Sequence, residues 1–229
     1  MIRAVMFDVG ECLVDESREW GGWADWLGVP RHTFSARFGA LIAQGRDPYE
    51  IFHLFHGSFD HDAEREKRDD IGDPEWFGEN DLYPDVRITI KLLRDAGLTL
   101  GIAANQSKAT TKILRTQFTG YLDVVATSYD WGVEKPDPRF FELLVELVGL
   151  APQEILYVGD RLDTDIRPAA AVGLRTALIR RGPWALIQDN APDAAALPTL
   201  VIDGLRQLPD RVEELNAAEG RPGNSAPVR

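Results

Sequence analysis

The chain has 229 residues, with 25 Lys+Arg against 37 Asp+Glu, a formal charge of −12, 44% hydrophobic residues and one cysteine. This content can fill a core without disulfides or structural metal, and the lone Cys12 has no partner for a disulfide framework and fits a reducing, cytoplasmic setting. The acidic balance argues against binding nucleic acid through a general positive field, and no apolar run approaches the ~18 residues that span a bilayer, so neither nucleic acid nor membrane is an expected partner.

The first residues are apolar apart from Arg3 and end in Asp8-Val9-Gly10, the pattern of a short buried strand that delivers an aspartate at its carboxyl end. Helical periodicity follows, with Trp20, Trp23 and Leu27, then Phe34, Phe38, Leu41 and Ile42, then Ile51, Phe52, Leu54 and Phe55. The segment from Asp60 to Asp81 is acidic, with Arg65, Lys67 and Arg68 interspersed, and reads as a solvated helix face and a loop. These residues, 15–83, form a helical insertion. His53 and His56 are three apart without a paired acidic ligand, so they read as surface or packing residues rather than as a zinc site. Trp20, Trp23, Trp26, Trp76 and Phe77 read as core of the insertion or its interface with the remainder.

From Tyr83-Pro84-Asp85 onward the pattern is regular. A helix ends at Gly97, and Leu98–Ala103, Leu122–Ala126, Ile155–Val158, Thr176–Ile179 and Thr199–Ile202 read as strands. Lys108–Gln117, Pro138–Val148, Ile166–Val172 and a last stretch through about Leu215 read as helices between and after them. Such alternation implies an α/β fold, a parallel sheet with helices on both faces. The expected division is 1–14 and 84–216 as core, 15–83 as insertion, and 217–229, rich in Gly, Pro, Asn and Ser, as a disordered tail.

In such sheets functional residues collect at the carboxyl ends of the strands. Those ends carry Asp8, Gly10 and Glu11; Ala104, Asn105 and Ser107; Glu134-Lys135-Pro136; and Gly159-Asp160 with Asp163 and Asp165. Asp8 and Asp160 brought together are costly unless a cation lies between them, and oxygen ligands favour a hard ion such as Mg²⁺. Lys135 adds a positive charge suited to an anionic group, so the set describes phosphoryl transfer to an aspartate.

Four segments, Phe7-Asp8-Val9-Gly10-Glu11-Cys12-Leu13-Val14-Asp15, Gly101-Ile102-Ala103-Ala104-Asn105, Glu134-Lys135-Pro136-Asp137-Pro138 and Val158-Gly159-Asp160-Arg161-Leu162-Asp163-Thr164-Asp165-Ile166, stand in this order. Together they resemble the motifs of the haloacid dehalogenase-like (HAD) hydrolases, and the similarity spans Ile2 to about Ile202. The resemblance implies a Rossmann-like core with a smaller α-helical cap placed between the first and second motifs. It also implies Asp8 as nucleophile and Mg²⁺ ligand, Lys135 as the cation that steadies nucleophile and phosphate, and Asp160 as a metal ligand. Gly10 contributes a carbonyl to the metal, and Asp165 orients metal-bound water from the outer shell. Asp163 matches no such role and reads as a turn residue.

Two positions depart from the family pattern. Phosphatases of this kind carry a general acid two residues after the nucleophile, and that residue here is Gly10. Loss of such a group removes ~10²–10⁴-fold in rate. Glu11 and Asp15 on the following turn, or a residue of the cap, are the candidates to replace it, although neighbouring positions at a strand end point in different directions. Ala104 stands where a phosphate-binding Ser or Thr is usual, leaving Asn105, nearby backbone N–H groups and Ser107 for that task. Cys12 reads as a small buried residue, and Trp131, shortly before Lys135, as a candidate wall of the substrate pocket.

The leading expectation is therefore a Mg²⁺-dependent phosphatase acting on a small phosphorylated metabolite. Its main rival is a catalytically weakened binding or regulatory protein on the same scaffold. A dehalogenase would need no metal, and the Gly159-Asp160 pair speaks against it. A signal-receiver domain is shorter and would not carry its phosphoacceptor on the first strand. Oligomeric state is not legible in the sequence.

Overall fold

The structure, a computed structural model, describes residues 1–220. Six parallel strands, β1 (Ala4–Phe7), β2 (Thr99–Ala104), β3 (Val124–Thr127), β4 (Ile155–Gly159), β5 (Arg175–Ile179) and β6 (Leu200–Ile202), form one sheet in the order β3-β2-β1-β4-β5-β6. β1 is central: Phe7 pairs with Ile102 of β2 and Val158 of β4, so the carboxyl ends of the three strands fall within two residues of one another. The helices are α1 (Ser17–Trp26), α2 (Arg31–Ala43), α3 (Glu50–Phe55), α4 (His61–Asp70), α5 (Val86–Asp95), α6 (Lys108–Gln117), α7 (Ser128–Trp131), α8 (Pro138–Val148), α9 (Arg167–Ala171), α10 (Gly182–Gln188) and α11 (Leu208–Gly220).

The four residues of β1 are buried on both faces, as a strand between two helical layers must be. Val5 and Phe7, with Leu156 and Val158, face a core completed by Val86, Ile90 and Leu93 of α5, Leu114 of α6, and Leu208 and Val212 of α11. Ala4 and Met6, with Ile155 and Tyr157, face Phe140, Phe141 and Leu144 of α8 and Ala169 of α9. Alternate residues of one strand thus anchor opposite layers, each large apolar side chain contributing about 1.5–3 kcal/mol on burial. No helix among the described residues is long and apolar enough to cross a membrane.

The insertion after β1 holds α1 to α4 around an aromatic cluster of Trp23, Phe34, Phe38, Phe52 and Phe59. Trp184 of α10 joins that cluster, its ring 5.1 Å from Phe38 at 90°, so an element of the α/β region reaches into the insertion. α4 keeps its acidic face in solvent, with Asp60 capping its first turn.

Several expectations need correction. α11 runs to Gly220, so residues 217–220 are helical rather than part of a disordered tail, and 221–229 lie outside the described residues. Helix α9 is preceded by a π-helical turn over Leu162–Ile166, which absorbs part of the expected 166–172 helix. Trp76 is 53% exposed beneath the Arg18 guanidinium, not buried in a core. Trp131 packs edge-on against Phe140 at 4.8 Å on the α8 side of the sheet, and Trp20, Tyr49 and Trp184 wall the cleft instead.

Candidate active site

The strand ends meet in a cleft of about 170 Å³ between the sheet and the insertion. Asp8 follows β1 directly, its N–H donating to the Val158 carbonyl at 2.8 Å. Lys135, on the loop after α7, sends its ammonium into the same place, donating to Asp8 Oδ1 at 2.7 Å, Asp165 Oδ1 at 2.6 Å and the Tyr157 hydroxyl at 3.0 Å. The Tyr157 hydroxyl in turn donates to the Ala103 carbonyl at 2.7 Å. Burial alone would favour loss of the lysine proton, but the Asp165 and Asp8 carboxylates hold the ammonium charged and push its pKa well up.

Asn105 lies on the cleft and fixes the lysine loop. It accepts from the Lys135 N–H at 2.8 Å, while its Nδ2 donates to the Lys135 carbonyl at 2.9 Å. Ser107 is placed differently from expectation. Its hydroxyl oxygen accepts from the Thr110 N–H at 3.2 Å and caps α6, and its neighbour Gln106 lines the cleft in its place. Ala104 is fully buried beneath them.

Asp160 follows β4 with 2% exposure, and its Oδ2 has no hydrogen-bond partner. Burial, with the Asp165 and Asp8 charges beside it, pushes its pKa well above the carboxylate range. Carboxylate oxygens of Asp8, Asp160 and Asp165 lie within 4.8 Å of one another. Three carboxylates against one ammonium leave two negative charges in excess, the charge of one divalent cation. The all-oxygen donor set and the orphaned Asp160 oxygen fit Mg²⁺.

Asp165 is fully buried, and both its oxygens are engaged, Oδ1 with Lys135 and Oδ2 with the Arg161 N–H at 3.1 Å. A side chain at Gly159 would overlap its carboxylate, which is why this strand end must be glycine. Asp163 forms a fork with Arg161, 2.7 Å at its shorter arm. Cys12 is buried, and burial together with Asp8 and Asp160 pushes its thiol up, out of reach of nucleophilic chemistry.

Around Gly10 the chain turns tightly. The Val9 carbonyl accepts from the N–H groups of Leu13 at 2.8 Å and Val14 at 2.9 Å. The turn places Glu11 at a φ of 49°, where its carboxylate accepts from the Tyr83 hydroxyl at 2.5 Å. Asp15 accepts from the Ser17 N–H at 2.8 Å. Glu11 and Asp15 are thus engaged, and the residue that lies over Gly10 comes from the third alternative, the insertion: it is Glu16, which sequence reasoning did not single out. A Cβ built on Gly10 would overlap Glu16 Oε1, while Glu16 Oε2 accepts from Trp20 Nε1 at 3.1 Å. Burial and the nearby Glu19 and Glu11 carboxylates push Glu16 well above the ordinary carboxylate range. The only sequence signal was the tight turn, since a carboxylate six residues on reaches position 10 only if the chain doubles back.

A larger cavity of about 720 Å³ lies inside the insertion, away from the strand ends. Its arginines are paired, Arg18 with Asp81 at 3.0 Å, Arg31 with Asp25 at 2.6 Å and Arg68 with Asp73 at 3.0 Å.

The chain is 38% identical over 135 residues to a glyceraldehyde 3-phosphate phosphatase of Methanopyrus kandleri, covering 58% of this chain and 57% of that protein. It is 35% identical over 149 residues to a ribulose-1,5-bisphosphate 5-phosphatase of Halopiger xanaduensis, covering 62% of each chain. The matched segments thus span about three-fifths of the length of these relatives. Among solved structures, a HAD phosphatase of Thermococcus onnurineus superposes with a TM-score of 0.59 and 26% identity, covering 92% of this chain and 98% of that one. An L-2-haloacid dehalogenase of Xanthobacter autotrophicus shares the fold, with a TM-score of 0.63 and 20% identity over 93% of this chain and 99% of that one. With its residues 2–173 matched by the model of the haloacid dehalogenase-like hydrolases, the chain belongs to that family.

Proposed function

We propose that the protein is a Mg²⁺-dependent phosphomonoesterase of small phosphorylated metabolites that works through an aspartyl-phosphate at Asp8. The observation that carries this reading is the Asp8 carboxylate held at 2.7 Å by Lys135 beside the unpartnered oxygen of Asp160. Asp8, the Gly10 carbonyl and Asp160 would hold the cation, which when bound draws charge off the transferring phosphoryl group. Lys135 balances negative charge on the same group and keeps the Asp8 carboxylate aimed. Asp165 and Tyr157 position Lys135, and Asn105 fixes its loop.

In the first step the free Asp8 oxygen bonds to phosphorus, and the phosphorus–oxygen bond of the ester breaks with its electron pair going to the leaving oxygen. Water then attacks phosphorus, frees phosphate and restores the Asp8 carboxylate. Helices α1 to α4 act as a cap that closes the cleft from water, and the small volume suits a phosphate on a short carbon chain. The names of the phosphatase relatives support that class of substrate. Turnover of a panel of phosphate esters with Mg²⁺ tests the reading. Asp8→Asn should abolish release of phosphate, and equal activity in parent and variant would overturn it.

A second reading, a binding or regulatory protein with catalysis lost, is favoured by the missing side chain at Gly10 and by Ala104. It requires a parent inert toward the whole panel.

A further inference from the structure

We infer that Glu16, carried on the insertion, is the catalytic residue that exchanges protons with the leaving group and the attacking water, in the space left open by Gly10. The inference rests on the phosphatase reading and extends it to a residue that no motif contains.

Position 10 has no side chain, and the volume that one would fill is taken by Glu16 Oε1. The two features are complementary, because any residue larger than glycine would displace this carboxylate. Glu16 lines the same cleft as Asp8, Lys135 and Asp160, so its carboxyl opens onto the space that a substrate at Asp8 would enter. Trp20 Nε1 holds the other oxygen at 3.1 Å, which fixes the carboxyl plane and leaves Oε1 over Gly10. Of the other nearby acids, Glu11 is engaged by Tyr83 and Asp15 by the first turn of α1, while Glu19 lines the cleft beside Glu16 without filling the space at Gly10, whose nearest atoms all belong to Glu16.

The proton balance is complete. As the ester bond breaks, the protonated Glu16 carboxyl gives its proton to the leaving oxygen, which departs as an alcohol, and Glu16 is left as carboxylate. In the second step that carboxylate takes a proton from water as the water oxygen bonds to phosphorus and the Asp8 oxygen leaves. Each cycle returns Glu16 protonated and Asp8 ionised.

Glu16→Gln separates this role from a structural one, because an aryl phosphate expels its phenolate without a proton whereas an alkyl phosphate does not. With glycerol phosphate the variant should lose ~10²–10⁴-fold in turnover. With p-nitrophenyl phosphate it should release about one equivalent of nitrophenolate rapidly and then stall, and the intact protein should gain the mass of one phosphoryl group, since the second step lacks its base. Binding of Mg²⁺ alone, followed by calorimetry, should be unchanged in Glu16→Gln, which sets the residue apart from a metal ligand. The double variant Glu16→Ala with Gly10→Asp should recover alkyl phosphate turnover, and it guards against misreading a folding defect in the single variant. Equal losses in the first turnover of both esters, no phosphorylated protein, or weakened Mg²⁺ binding would overturn the assignment. Activity that needs Asp8 but ignores Glu16→Gln would overturn the assignment alone, whereas activity that survives Asp8→Asn would overturn the phosphatase reading beneath it.

Discussion

Lys135 shows what the sequence could and could not convey at the level of single residues. Its place at a strand-end loop, like those of Asp8 and Asp160, follows from the alternation of strands and helices, because the ends of parallel strands share one edge. Tyr157 was invisible by the same logic, since it sits inside the apolar run Ile155–Val158 and reads as core. Its hydroxyl nevertheless accepts from Lys135 and donates to the Ala103 carbonyl, satisfying two buried groups at once. Tyr157→Phe keeps the ring packed edge-on against Phe141 at 5.0 Å but takes one hydrogen bond from the Lys135 ammonium and one from the Ala103 carbonyl. Losing these buried hydrogen bonds costs about 1–3 kcal/mol, so the urea midpoint should drop by that equivalent. Turnover should fall less than in Asp8→Asn, because Asp165 still holds the ammonium. A variant as stable as the parent would show that water replaces the hydroxyl.

The helical elements were legible wherever apolar spacing was regular, as in α2, α5 and α8, and less so where tertiary contacts decide. Nothing in Gly182-Pro183-Trp184 announces that α10 would lend Trp184 to an aromatic cluster built by residues well over a hundred positions earlier. The short α7 was likewise missed, since four residues carry no periodicity and its signal is the Thr127–Asp130 capping pair. Within the insertion, His61 at the start of α4 lies 4.6 Å from Trp23 and 5.0 Å from Phe52 by ring centres. Burial, then Arg65, lowers its pKa from the ordinary value near 6.5, with Glu75 and Asp62 opposing. A histidine depressed in the folded state contributes its full stability above the unfolded value, and loses it as pH falls toward the folded value, because the unfolded chain binds the proton first. The stability of His61→Phe relative to the parent should therefore rise as pH falls from about 7 to 5, in paired urea titrations. A difference that stays constant across that interval would mean that His61 is solvated when charged.

At the scale of the whole molecule, the charge of −12 falls into two populations. Much of it sits on α4 and the loop after it, offset locally by pairs such as Arg65 with Glu75 at 2.7 Å and Lys67 with Glu64 at 2.5 Å. Another part converges on the cleft, where Asp8, Asp160 and Asp165 share one lysine. An anionic substrate would be repelled from that edge without a cation, so the charge and the proposed chemistry are compatible only when Mg²⁺ is bound. The folded chain gathers these carboxylates and the unfolded chain does not, so Mg²⁺ should stabilise the fold by about 2.7 kcal/mol at a hundredfold excess over its Kd. Asp160→Asn removes the buried oxygen that lacks a partner, along with one of the excess charges. Its thermal midpoint should thus exceed the parent's in chelator, because the cost of burying this carboxyl beside Asp165 and Asp8 is gone. Addition of Mg²⁺ should then raise the parent's midpoint and leave the variant's nearly fixed. If chelator and Mg²⁺ gave the same midpoint for the parent, or if both proteins responded alike to the ion, the three carboxylates would be a structural network with Lys135 and not a cation site.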